Sequence, residues 1–223
     1  ITNRRCLLFT SIMILVFCMS TRAQTMKPNL KFGSPTTDEL KMSSYPADAN
    51  ASAVTLCKIT DVDYEVMSGD FKIVYDVRVK IKVLKSDGKD YANVEVPYIN
   101  DLTDINAREN VNGIKATAYN LENDKVVKTN MTKDMIFTER LDKQNMLLKF
   151  TVPQVKVGTV IEYKYRLESS LYYTINDWYA QNSIPTLYAE YHLVVPEYFK
   201  FSIEETGMSP LKKTTNTTPL TFF

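Results

Sequence analysis

The sequence predicts an all-β fold, an antiparallel two-sheet β-sandwich of about nine or ten strands. Three observations carry that expectation. Residues 71–84 (FKIVYDVRVKIKVL) alternate: the odd positions Phe71, Ile73, Tyr75, Val77, Val79, Ile81 and Val83 are all apolar, and five of the seven even positions, Lys72, Asp76, Arg78, Lys80 and Lys82, are charged. Side chains alternate faces along a strand, so this stretch has one buried and one wet face; a helix would spread the apolar set around its circumference. Residues 160–167 repeat the pattern, with Ile161, Tyr163, Tyr165 and Leu167 inward and Glu162, Lys164 and Arg166 outward. Turn signals divide the remaining apolar runs, no long amphipathic helix interrupts them, and 14 Tyr and 10 Phe against 6 Gly suit a pleated core.

The start reads as a signal peptide over 1–23. Arg4 and Arg5 form a basic n-region, residues 6–19 a mostly apolar run, and Thr21-Arg22-Ala23 a cleavage site. The run is too short and too interrupted for a membrane span, so the mature chain is expected to be exported, periplasmic or at the cell surface, and not transmembrane. Cleavage after Ala23 lowers the basic count from 27 to 24 against 26 acids, leaving a net charge of −2. No strong basic field remains to recruit nucleic acid. Cys57 is then the only cysteine, so no internal disulfide is expected.

Residues 24–50 hold Pro28, Gly33, Pro35 and Pro46 and read as an extended arm, with one short helical turn at 37–40 capped by Thr36 or Thr37. The sandwich is expected over 51–205. Strands at 53–59 and 62–67 precede the turn Ser68-Gly69-Asp70, which makes a hairpin with the central strand. The central strand's length points to a bend or to a strand shared by both sheets. Ser86-Asp87-Gly88 turns into a strand at 91–98 that Pro97 stops. A loop over 100–110 leads to a hairpin of 111–121 with 126–130, and further strands are expected at 133–140, 146–152, 160–167, 187–195 and 199–203. The polar tail 206–223, rich in Thr and Pro, is not expected to fold alone.

Chemistry-bearing residues are few. A Cys57 nucleophile would need a base, and His192 is the only histidine. Cys57 sits between Leu56 and Lys58 in an apolar strand, where a free thiol behaves as a small buried hydrophobe. His192 shares the polar face of its strand with Glu190, and one His does not make a typical zinc site. No catalytic residue, cofactor or metal is therefore assigned, and the chain is expected not to be an enzyme. Asp61, Asp63 and Glu65 share one face of a strand, as on any solvated sheet. Asp101, Asp104, Asn106 and Glu109 in the long loop are weak calcium candidates that lack the central glycine of an EF-hand. Tyr172, Tyr173, Trp178, Tyr179 and Tyr188 are the candidate ligand-binding residues, a stacking surface for envelope glycan or peptide; the bland alternative is an aromatic plug at one end of the sandwich.

The order of motifs brings a family into view. Phe32-Gly33, Asp38-Glu39-Leu40 and Tyr45-Pro46-Ala47-Asp48 precede the first strand. Tyr91-Ala92-Asn93-Val94 with Pro97-Tyr98, Ile114-Lys115-Ala116 with Tyr119-Asn120-Leu121-Glu122, and the run from Val155 to Tyr163 (VKVGTVIEY) follow. Asp177-Trp178-Tyr179, Ile184-Pro185, Tyr188-Ala189-Glu190-Tyr191 and Val195-Pro196-Glu197-Tyr198-Phe199 close the series. Together, over about Phe32 to Ile203, they resemble the N-terminal domain of secreted bacterial transglutaminase-like proteins, the domain of unknown function 3857. The resemblance implies an accessory module, serving interaction or substrate presentation, whose partner is a C-terminal transglutaminase-like core with a Cys, His and Asp triad. That core is absent from this chain, and the family lends no catalytic residues to the present domain. A standalone glycan- or peptide-binding module is the alternative.

Overall fold

The computed structural model describes residues 29–67, 69–104, 106–197, 199–207 and 211–216. The leader expected at 1–23 lies outside them. A short helix, α1 (Thr37–Lys41), precedes nine strands: β1 (Ala53–Met67), β2 (Asp70–Val83), β3 (Asn93–Ile99), β4 (Glu109–Glu122), β5 (Lys125–Asn130), β6 (Ile136–Arg140), β7 (Asn145–Thr151), β8 (Val160–Ser169) and β9 (Ala189–Leu193). They form a six-stranded sheet in the order β5-β4-β8-β2-β1-β9 and a three-stranded sheet in the order β3-β7-β6. The two-sheet β-sandwich is as expected.

The alternation along β2 does the work assigned to it on one face. Ile73, Tyr75, Val77, Val79, Ile81 and Val83 join Ala116 and Ala118 of β4 and Ile161 and Leu167 of β8; against them pack Val94 and Val96 of β3 and Leu148 and Phe150 of β7. Each Val, Ile, Leu or Phe among them taken from water is worth about 1.5–3 kcal/mol. The whole of β2 lies in the large sheet between β1 and β8, so it is not shared between sheets.

The other face corrects the sequence reading. Lys80 and Lys82, expected in water, are fully buried, and Glu162 is buried beside them. The cause is the arm, which crosses this face. Thr36 caps α1 through a capping box: its hydroxyl accepts from Glu39 N at 3.1 Å, and Glu39 Oε2 accepts from Thr36 N at 2.7 Å. That short turn seats Leu40 on Val54, Leu56, Leu84, Tyr119 and Val160, a second apolar cluster.

Other boundaries differ for local reasons. The two strands expected at 53–59 and 62–67 are one, β1, with a bulge between Thr55 and Cys57; Asp61 does not interrupt it because ion pairs satisfy its carboxylate. The turn at Ser86 extends into a 3₁₀ helix, Ser86–Ala92, and Gly88 is required there, since a Cβ would lie 2.1 Å from Ser52 O. Pro97 lies inside β3 and does not stop it, because β3 is an edge strand. No strand forms at 199–203. β9 departs from the antiparallel expectation: the long coil after β8 returns the chain beside β1 in parallel, Ile59 opposite Glu190 and Asp61 opposite His192.

Candidate functional site

The parallel β1–β9 pairing builds a charged row on the outer face of the large sheet. His192 Nδ1 lies 2.7 Å from Asp61 Oδ1, and Nε2 lies 2.8 Å from Glu190 Oε1. Both carboxylates only accept, so holding both contacts requires the doubly protonated imidazolium. The two hydrogen bonds, to Asp61 first and then to Glu190, raise the His192 pKa above its ordinary value. Arg78 closes on the other oxygen of Asp61, and Tyr188 donates its hydroxyl to Glu190 Oε2 at 2.8 Å. The Glu190–His192 spacing was visible in sequence; Asp61, 131 residues away, was not. Asp63 and Glu65 do not join a cage: Asp63 accepts from the amide of Tyr64, and Glu65 pairs with Arg166.

Next to this row, Cys57 is fully buried opposite Lys80. Burial pushes its thiol up to about 11, which keeps it a neutral thiol at physiological pH. Lys80 donates to the carbonyls of Asn29 (2.9 Å) and Lys31 (3.2 Å), and its ammonium lies 3.3 Å from Glu39 Oε1 and 3.4 Å from Glu162 Oε1. Gly33 N donates to Glu162 Oε2 at 2.6 Å, in a turn where φ is +87°. Lys82 donates to the carbonyls of Leu40 and Gly158, and burial lowers its pKa to about 8.

The five aromatic candidates occupy different places. Tyr172 and Tyr173 stand at the hairpin end of β1 and β2: Tyr172 is 6.3 Å from Phe71, 6.2 Å from Phe199 and 5.7 Å from Tyr173, while Tyr64 stacks on Phe199 at 4.9 Å. Tyr173 is 65% exposed, and Val66 across the same hairpin is equally so. Trp178 lies farther along the inner face of β1. Its ring is 5.2 Å from Tyr191, its Nε1 donates to Thr60 Oγ1 at 3.1 Å, and the Lys58 ammonium sits 5.6 Å above it. Tyr179 is exposed, and Tyr188 belongs to the charged row.

The loop carboxylates hold their own chain. Asp101 accepts from the amide and hydroxyl of Thr103 and from Gln144, bonds that lower its pKa to about 2. Asp104 accepts from Asn106 N, and Glu109, at the start of β4, accepts from Ile99 N. Among the described residues no three of His, Cys, Asp and Glu are grouped to hold a metal ion. Nor, among them, is any helix long and apolar enough to cross a membrane.

The model of a family described as a domain of unknown function with solved structure, DUF3857, matches residues 69–220. This chain belongs to the DUF3857 family. The match begins at the turn before β2, so the arm and β1, which cover and extend the large sheet of this DUF3857 domain, precede it. None of the curated proteins matches the sequence. Among solved structures, the chain is similar to a protein from Parabacteroides distasonis described as "a putative protease". The two are 10% identical at a TM-score of 0.39, with 53% of this chain and 23% of that chain covered. The DUF3857 chain thus spans about a quarter of that protein's length.

Proposed function

We propose that this DUF3857 chain is a non-enzymatic, exported β-sandwich that serves as the N-terminal accessory module of a transglutaminase-like protein. The observation that carries the reading is the aromatic end, where Val66, Phe71, Tyr172 and Tyr173 present apolar surface together. Contiguous apolar patches of this kind mark interaction surfaces, and a catalytic core following this domain would cover it. The state of Cys57 and His192, the thiol and the imidazole among the described residues, supports the non-enzymatic part. Cys57 is buried and held neutral, and both nitrogens of His192 are engaged by carboxylates. Export rests on the basic and apolar leader at 1–23.

An antibody to this domain, applied to cross-linked source cells, tests the proposal. The expected outcome is a polypeptide well above 25.6 kDa, or a stable complex, that contains a transglutaminase-like core. A band at or below that mass with no cross-linked core overturns it. A standalone binding module for envelope glycan or peptide is the second reading, favoured by the exposed rings of Tyr172, Tyr173 and Tyr179.

A further inference from the structure

A second feature lies on the inner face of the large sheet, away from the aromatic end. Thr55 N donates to Pro185 O, and Leu187 N donates back to Thr55 O, so the coil before β9 is laced to β1. The residues just before it curl over the sheet and bury Ile184. Beneath that curl is a cleft of about 130 Å³, walled by Val79, Ile81 and Ile184 and bordered by Lys58, Tyr91 and Ser183.

Lys58 is the unusual member. Its ammonium donates to Tyr179 O at 2.7 Å and lies over the Trp178 ring. It makes no ion pair among the described residues, and burial lowers its pKa. An ammonium carries three donors, so two remain without a protein partner there. At the rim, Tyr91 Oη and Ser183 Oγ are 2.9 Å apart. One hydroxyl must donate to the other, which leaves one proton for a third group. A half-buried cation with no carboxylate partner among the described residues, lining the same cleft as a hydroxyl pair, is matched by an anion.

The size and charge of the cleft narrow its class. The volume is below that of a drug-sized ligand site, so it takes an end group. One lysine offsets one negative charge, whereas a phosphate monoester carries nearly two. Val79, Ile81 and Ile184 give the cleft an apolar part beside the polar side chains of Thr55, Asn182 and Thr186. We propose that the cleft binds a carboxylate on a short apolar stem, such as the end of a peptide or of a short acyl chain, with Lys58 and the Tyr91–Ser183 pair as its polar contacts. This inference does not depend on the accessory-module reading.

Trp178 is the only tryptophan in the chain, and the Lys58 ammonium lies on its ring, so its fluorescence senses a change at that ammonium. The full chain is titrated at neutral pH with N-acetyl-L-alanine and with butyrate, and in parallel with their neutral amides, N-acetyl-L-alaninamide and butyramide. At least one acid is expected to give a saturable change that its amide does not, and the tighter acid identifies a peptide or an acyl source. Lys58→Met should weaken that acid at least about tenfold, as expected for the loss of a charge-assisted hydrogen bond. Because acid and amide are compared on the unaltered protein, the test stands even if the variant folds poorly. No saturation by either acid, an equal response to the amides, or displacement of the acid by inorganic phosphate at lower concentration each overturns the proposal.

Discussion

Replacing Lys80 by methionine tests the central structural claim, that the N-terminal arm is locked to the large sheet through a buried charge. Lys80 is fully buried, and the side chains of Glu39 and Glu162 are 4% and 5% exposed. Lys80→Met keeps a linear side chain but leaves two carboxylates without their cation and the carbonyls of Asn29 and Lys31 without their donor. Breaking a buried pair by removing one partner costs about 3–5 kcal/mol, and the lysine's own desolvation cost, now relieved, places this variant near the lower end. With a urea slope of about 2 kcal/mol per molar, the unfolding midpoint at pH 7 should fall by roughly 1.5 M. Adding Glu39→Gln should then return about 1–2 kcal/mol, since it removes one stranded charge. The amide oxygen can still accept from Thr36 N, so the helix cap survives. Circular dichroism in urea measures both steps. A Lys80→Met loss below about 0.5 kcal/mol, or a Glu39→Gln step that deepens the loss, would refute the reasoning.

The His192 pKa is raised on folding, so its stabilising effect is full below the unfolded value of 6.5 and is lost as pH rises through the folded value. Glu190 runs the other way: its lowered pKa gives stability that is present above 4.5 and fades as pH falls through the folded value. Because His192 is half-exposed, its share should stay below about 1 kcal/mol. Nuclear magnetic resonance of this lone imidazole should show titration above 6.5, and His192→Gln should flatten the alkaline decline in urea midpoint; a midpoint at or below 6.5 would sink the assignment. The Cys57 thiol, buried and pushed up to about 11, should resist iodoacetamide at pH 8 in the native chain and react fully in urea. Peptide mass spectrometry reads the result, and labelling of native Cys57 at the rate of a free thiol would contradict its burial.

The sandwich was legible because period-two alternation is a local signal. β2 and β8 showed their inner faces, and the helical turn could be read at 37–40 with its cap narrowed to Thr36 or Thr37, of which the structure takes Thr36. The outer face was not legible, because a lysine on a strand reads as solvated until something covers it. Here the cover is the arm, roughly forty residues upstream, and no local pattern in 71–84 announces it. Distance in sequence hid the site features too. Glu190 and His192 could be placed on one side of a strand, but their partner Asp61 required the parallel return of β9. Trp178 was placed among surface aromatics because its segment is irregular; its contacts with Thr60, Lys58 and Tyr191 come from the same return of the chain.

The mixture of contacts beneath the arm has a physical logic. Apolar contact alone would let the arm shift, since Leu40 fits a greasy surface in more than one register. An ammonium in a dry site is less permissive. Lys80 needs the carbonyls of Asn29 and Lys31 together with Glu39, and Lys82 needs Leu40 O. Moving the arm by one residue would present the wrong backbone groups and leave a buried charge unpaired, at a cost far above that of a shifted leucine. A hydrophobic replacement of the whole cluster would hold the arm as tightly but would specify its position less. The buried lysines therefore fix register more than they add stability. Register matters here because the same stretch of arm carries Gly33 onto Glu162 and Leu40 onto Val160, tying the arm to β8 within the large sheet.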